Sequence, residues 1–135
     1  MSERFEEAVI AHCAPTLAGH KCGSLFSWRK TGGQDLAQEL SSVNRLLQPK
    51  GVRVRLLQCC PAGALVYVYR PAMLQKRLER TDIADFLHGR GYASLKLSDA
   101  LATLARHIHC GEEFPHEVGI FLDYPLADVI GFIRH

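Results

Sequence analysis

The sequence predicts an α+β fold, with a small three-stranded sheet early in the chain, packed by helices, and a helical C-terminal half. Short apolar stretches of strand length occur before position 70. Beyond it, apolar residues recur at the spacing of amphipathic helices. With 135 residues and no convincing linker or repeat, the chain is expected to form a single domain, 1–135, with its own core.

Helices and strands alternate in the predicted first half. Residues 3–11 form a helix that should stop near Ala14, because Pro15 disfavours a helical conformation in the residue before it. Another helix opens at Thr31-Gly32-Gly33 and continues through Gln48.

Strands are predicted at 24–28, 52–58 and 64–69. The third is apolar on both faces, which indicates the centre of the sheet. A turn at 59–63 should join the second and third strands as an antiparallel hairpin.

The second half is predicted to be helical. One helix contains Leu74 and Leu78, and two more are expected to be capped by Thr81-Asp82 and by Ser98. Residues 117–122 and 125–133 form the last two.

Composition and charge argue against several functions. The net charge of +2 gives little attraction to nucleic acid or acidic lipid. The longest apolar run, residues 64–69, is far below the roughly 20 residues of a membrane-spanning helix. The first residues lack the layout of a signal peptide, so we expect a cytoplasmic protein that does not enter a membrane.

Five cysteines occur, at positions 13, 22, 59, 60 and 110, without a C-x-x-C pair. Cytoplasmic thiols are normally reduced, so the sequence predicts free cysteines that behave mainly as small apolar side chains. Cys59 and Cys60 are expected in an exposed turn, and redox activity of this pair is the alternative.

Two segments concentrate reactive side chains beside Pro and Gly: residues 12–21, HCAPTLAGHK, and residues 114–122, FPHEVGIFL. If these segments pack around one concave site, their nitrogen, sulfur and oxygen donors suit zinc or iron. The candidate metal ligands are His12, Cys13, His116 and Glu117. The competing interpretation is structural, with Cys13 buried and His12 at the end of a helix.

Cys13 and His116 also allow a thiol-dependent enzyme. A thiol on a short helix, with a histidine that begins a strand, resembles the arrangement in papain-like hydrolases. The resemblance rests on two residues, and no third catalytic member stands out.

Lys21 and Arg70 are the candidate ligand-binding residues. Arg70 follows the central strand, where its guanidinium suits a carboxylate or phosphate, and the alternative is a salt bridge to a neighbouring helix.

Residues 117–133 have the spacing of a helix-turn-helix, with Gly119 where the two helices approach. A DNA reader needs Arg, Lys, Asn or Gln on the second helix, but residues 125–133 carry Asp128 and no cation. We therefore expect no nucleic-acid binding. The helix should instead dock on the core or on a protein partner, including a second copy of the chain.

Longer motifs carry a family resemblance: HCAPTLAG at 12–19, VYVYRP at 66–71 and FPHEVGIFL at 114–122. On these motifs the chain resembles an uncharacterised bacterial family, Domain of Unknown Function thirty-seven ninety-three, over nearly its whole length. The resemblance implies no assigned activity, only a loose association with iron-uptake and flavodoxin genes. Relatives usually continue into a stretch with a Trp-Lys-Val-Tyr motif and more cysteines, so any site that needs this stretch is expected to be absent or supplied otherwise.

Three functions stay open at this point. The leading hypothesis is a cytoplasmic accessory protein of unknown activity, linked to metal or redox chemistry and related to iron. The alternatives are a thiol-dependent enzyme that uses Cys13 and His116, and a non-catalytic interaction module.

Overall fold

The computed structural model describes residues 4–29, 35–61 and 63–134, which contain seven helices and three strands. The helices are α1 Phe5–Leu17, α2 Leu36–Leu47, α3 Pro71–Leu78, α4 Thr81–Gly89, α5 Leu97–His107, α6 Val118–Phe121 and α7 Leu126–Arg134. The strands are β1 Gly23–Trp28, β2 Arg53–Cys60 and β3 Gly63–Tyr69.

The strands form one antiparallel sheet in the order β1-β3-β2. Tyr69 of β3 lies opposite Gly23 on one side and opposite Arg53 on the other. The α+β class, the hairpin and the central position of the third strand are thereby confirmed. Residues 64–69 are all buried, as the continuous apolar run of this strand indicates.

The sheet separates two hydrophobic clusters. Successive side chains of a strand point to opposite faces, and β3 places Val66 and Val68 in one cluster and Tyr67 and Tyr69 in the other. The valine face packs against α1 and α2, and the tyrosine face packs against α3 to α7. The described residues therefore form three layers, with the C-terminal helices on one side of the sheet and the N-terminal helices on the other.

Helix α1 is longer than predicted. The expectation that it stops near Ala14 is confirmed in part, because the regular helix breaks at Cys13 and a second helical segment continues to Leu17. Pro15 nevertheless disturbs the helix, since it lacks an N–H donor and its ring collides with the carbonyl four residues earlier. The backbone responds at Cys13, whose φ of −121° and ψ of 19° are not helical. The result is a kink followed by one more helical segment.

Strand β2 contains a β-bulge that decides which way its last residues point. Leu56 lies opposite Val66, but Gln58 lies opposite Leu65, so one extra residue is inserted between them. The insertion reverses the alternation, which directs Gln58 and Cys60 toward α5. The strand also includes Cys59 and Cys60, so the prediction that these cysteines lie in a turn is wrong.

The remaining predictions are confirmed in part. α4 and α5 begin near the predicted residues, but neither has a side-chain cap, so the capping roles of Thr81-Asp82 and Ser98 are wrong.

Gly119 lies where α6 and α7 approach each other, since a Cβ there would meet Val129 at 2.9 Å. The predicted helix start at Thr31-Gly32-Gly33 falls outside the described residues.

Among the helices that the structure describes, none is both long enough and apolar enough to cross a membrane.

Tyr67→Phe should lower the free energy of unfolding by about 1 kcal/mol. The Tyr67 hydroxyl donates a 2.6 Å hydrogen bond to the buried carbonyl oxygen of Phe121 and so ties β3 to α6. Urea denaturation measures the loss. Tyr124→Phe is the control, because Tyr124 is exposed and its loss should stay within about 0.5 kcal/mol. Equal losses in both variants would contradict this role of Tyr67.

Candidate functional site

The two predicted motif segments approach each other at their C-terminal ends, through Phe121 and the residues that directly follow the segments. The backbone N–H of Cys22 donates to Oδ2 of Asp123 at 2.9 Å. The Sγ of Cys22 lies 3.7 Å from the carbonyl oxygen of Phe121. Gly23 permits this approach, because a Cβ there would come within 2.5 Å of the same oxygen. The contact docks α6 on the sheet and brings no reactive side chains together.

Arg70 has a structural role at the end of α1. Its Nε and Nη2 each donate a 2.7 Å hydrogen bond, to the carbonyl oxygens of Thr16 and Leu17 respectively. Carbonyls in the last turn of a helix lack partners within the helix, so the guanidinium satisfies them. Ligand binding by Arg70 and Lys21 stays a prediction, and it would compete with these contacts of Arg70.

Cys13 lies in the core between α1 and the sheet, with no exposed surface. Burial raises the pKa of its thiol to about 12, and the nearby Lys21 ammonium lowers it by less. The thiol is therefore protonated at neutral pH. His12 points elsewhere, since it is exposed and its ring stacks on Phe26 with the ring centres 5.2 Å apart.

Glu117 lies on the other side of the sheet from Cys13. Cys13 belongs to the hydrophobic cluster that contains Val66 and Val68. Glu117 accepts a hydrogen bond from Tyr92, which packs in the cluster on the opposite face. Within the described ranges, no three His, Cys, Asp or Glu residues are grouped as metal ligands. The metal set and the Cys13–His116 pair stay predictions, and this layering does not favour either.

Glu117 is instead the centre of a buried polar cluster, which we call the Glu117 cluster. Its side chain is 2% exposed and interacts with three side chains. It receives a hydrogen bond at 2.5 Å from Nδ1 of His107, one at 3.1 Å from the hydroxyl of Tyr92 and one at 3.4 Å from Nη2 of Arg90. These groups come from the ends of α4, α5 and α6, so the carboxylate joins three helix ends.

The Glu117 cluster favours the ionised carboxylate. Burial by itself raises the pKa of Glu117, but hydrogen bonds from His107, from backbone and from Tyr92 outweigh this effect and hold it below its usual value. Burial and the adjacent carboxylate raise the pKa of Tyr92, so its hydroxyl stays protonated and donates a hydrogen bond to Glu117.

A shallow groove of about 390 Å³ opens beside this cluster. It is lined by Gly89, Arg90, His107, His109, Pro115 and Glu117. Arg90 and His107 expose 34% and 32% of their side chains. Because Glu117 occupies Nδ1 of His107, Nε2 is the ring nitrogen that remains for other interactions.

A second groove of about 400 Å³ is mainly apolar, and Phe114, Val118 and Tyr124 contribute to its walls. Pro115 lines both grooves. Phe114 and Tyr124 are among the most exposed large apolar side chains of the described residues, at 50% and 54%. The segment before α6 thus carries a polar and an apolar surface side by side.

Cys60 and Cys110 form a disulfide, which corrects the expectation of reduced cysteines. Their Cα atoms are 5.6 Å apart. Next to this bridge, Nε2 of Gln58 donates to the carbonyl oxygen of Ile108 at 3.2 Å. The bridge therefore fastens the chain after α5 to β2, three residues beyond His107 of the Glu117 cluster. Cys59 is exposed and free.

The comparisons with known proteins identify a family but no activity. The family described as "Protein of unknown function (DUF3793)" matches residues 9–135. The chain belongs to this family. No curated protein and no solved structure matches the chain.

Sequence reasoning missed Arg90, Tyr92 and the pairing of Cys110. Arg90 and Tyr92 flank Gly91, whose φ of +95° turns the chain after α4 so that both can reach Glu117. The glycine was visible as a helix end, but nothing local indicated a carboxylate 25 residues further along the chain.

Alkylation by iodoacetamide at pH 7 to 8 should modify Cys59 and spare Cys13 and Cys22. Both buried thiols have pKa values raised to about 12 by burial, whereas Cys59 is exposed. Peptide mass spectrometry measures the labelling of each cysteine, and unfolded protein is the control in which all free thiols react. Labelling of native Cys13 as fast as Cys59 would contradict this expectation and support the thiol-enzyme hypothesis.

Glu117→Gln should lower the free energy of unfolding by roughly 2–3 kcal/mol at pH 7. Since the pKa of Glu117 in the folded protein lies below the ordinary value of 4.5, its stabilisation is complete above that value and is lost as the pH falls through the lowered pKa. Denaturation curves at several pH values should therefore converge for the two proteins in acid. Glu112→Gln, at an exposed position, is the control. A difference that does not depend on pH would contradict the ionised carboxylate.

Proposed function

We propose that this protein is a cytoplasmic redox-linked protein whose reactive pair is Cys60 and Cys110. The observation that carries the proposal is a disulfide with one exposed member, Cys110, at the edge of the sheet beside an exposed free thiol, Cys59. Disulfides in the cytoplasm are usually transient and act in catalysis or redox sensing. Exposed disulfides are also more easily attacked than buried ones.

The reaction that we propose is thiol–disulfide exchange with a small or protein dithiol. A thiolate of the dithiol attacks Sγ of Cys110, the more exposed residue of the pair, and Cys60 leaves as a thiolate. The second thiol of the reductant then attacks the mixed disulfide and releases Cys110. In sum, two electrons and two protons pass from the dithiol to Cys60 and Cys110, and the dithiol becomes a disulfide.

The strand geometry supports different roles for the adjacent cysteines. Neighbouring side chains on a strand point to opposite faces, and Cys60 points toward Cys110, which lies in the segment after α5. Cys59 therefore points away from the bridge and is not the resolving thiol of this pair. Cys59 serves as the matched control in the chemistry below.

Reduction should act on the segment that follows α5. Reduction breaks the covalent link between this segment and β2. The hydrogen bonds that Gln58 donates to the carbonyl oxygens of Ala105 and Ile108 remain. Because His109 and Pro115 line the groove beside the Glu117 cluster, this proposal makes the groove the region that responds to redox state.

Equilibration in dithiothreitol buffers, followed by alkylation and mass spectrometry, tests the proposal. We expect one two-electron transition of Cys60 and Cys110, with a reduction potential above about −300 mV, the range of labile disulfides. Cys59→Ser should keep the transition, and Cys110→Ser should abolish it. A potential below that value would make the bridge structural. Failure of the bridge to form under oxidising buffers, or its loss in Cys59→Ser, would overturn the proposal.

A further inference from the structure

We propose that the groove beside the Glu117 cluster binds the carboxylate of a small organic acid, and that the adjacent apolar groove holds the acid's apolar part. This inference concerns a ligand and does not depend on the redox chemistry of Cys60 and Cys110.

The charge of the first groove favours an anion. Of the residues that line it, Arg90, His107 and His109 present donors or cations, and the one acid, Glu117, is 1% exposed. Glu117 accepts from one nitrogen of Arg90, at 3.4 Å. A guanidinium has five N–H donors in a fork that matches a carboxylate, so Arg90 retains donors for a ligand at a side chain that is 34% exposed.

The Glu117 cluster also orients the second donor. Nδ1 of His107 donates a hydrogen bond to Glu117, and this bond fixes the orientation of the ring, as carboxylates do for many functional histidines. Nε2 then donates to the ligand carboxylate when the ring is the doubly protonated imidazolium, because Nδ1 already donates to Glu117. The buried carboxylate holds an arginine and a histidine at the same groove. Both side chains are therefore preorganised, which reduces the entropy cost of ligand binding.

The second groove selects what is attached to the carboxylate. Phe114, Val118 and Tyr124 offer an apolar surface, and Pro115 is shared with the polar groove. Asp128 and His116 line the same groove, whose other lining residues are mainly apolar. The Asp128 carboxylate disfavours a second carboxylate there, so the geometry points to a monocarboxylate with an aliphatic or aromatic body.

The test is an NMR titration of the full chain with four probes: hexanoate, acetate, succinate and inorganic phosphate. Labelled histidine and arginine side chains report on the groove. We expect saturable shifts of His107 and Arg90 with hexanoate, weaker binding of acetate, and the weakest binding of succinate. Tighter binding of phosphate than of hexanoate would overturn the carboxylate assignment, as would shifts that do not saturate.

Variants separate the two halves of the site. Arg90→Met should weaken the binding of hexanoate and of acetate by about tenfold or more, the loss of affinity expected when one charge-assisted hydrogen bond is removed. Arg106→Met is the matched control, because Arg106 is an exposed arginine of α5 that contacts Thr103. Phe114→Ser should weaken hexanoate and leave acetate unchanged.

If Arg90→Met does not fold, Arg90→Lys provides a second test of the same residue. This variant keeps the positive charge and lacks the forked N–H donors of the guanidinium. It should also bind hexanoate more weakly than the unchanged chain. Equal binding by Arg90→Lys and by the unchanged chain, or equal weakening by Arg106→Met, would overturn the proposal.

Discussion

A single buried carboxylate organises the surface to which both proposals refer. Glu117 joins the ends of α4, α5 and α6 through Arg90, Tyr92 and His107. Breaking a buried charge pair by removing one partner typically costs several kcal/mol, so these partners are constrained together. Glu117 in turn keeps its place because the segment that follows it is fastened to the sheet, where the Tyr67 hydroxyl and Cys22 reach the carbonyl oxygen of Phe121.

Cys13 and Arg70, two of the candidate residues of the sequence, make contacts that stabilise the fold. Cys13 fills the core under a proline kink, and Arg70 completes the hydrogen bonds at the end of α1. Arg77 does the same for α6, since its Nε donates to the carbonyl oxygen of Ile120 at 2.8 Å and its guanidinium pairs with Asp123. Polar groups in such motifs satisfy backbone groups that irregular turns leave unpaired. Arg90 and His107 of the Glu117 cluster, and Cys59 and Cys110 beside the edge of the sheet, are among the described groups that lie at an open surface.

The outline of the fold could be predicted from the sequence because periodicity is a local signal. The apolar run of residues 64–69 predicts a central strand, and Gly119 predicts a close approach of two helices. Both features are present in the structure. The site depends on long-range contacts that no local pattern encodes. The bulge after Leu56 is one example, because a regular alternation would direct Cys60 away from α5 and exclude its bridge to Cys110. Glu117 was identified as a candidate residue, but its partners lie up to 27 residues away.

Two-dimensional ¹H–¹⁵N NMR of the His107 ring at neutral pH tests the role of Glu117. An ionised Glu117 accepts a hydrogen bond from Nδ1 of His107 and leaves Nε2 at the groove. We therefore expect a proton on Nδ1 that exchanges slowly with water, and loss of this signal in Glu117→Gln. A neutral ring protonated on Nε2, or an Nδ1 signal that persists unchanged in Glu117→Gln, would show that Glu117 does not organise this surface.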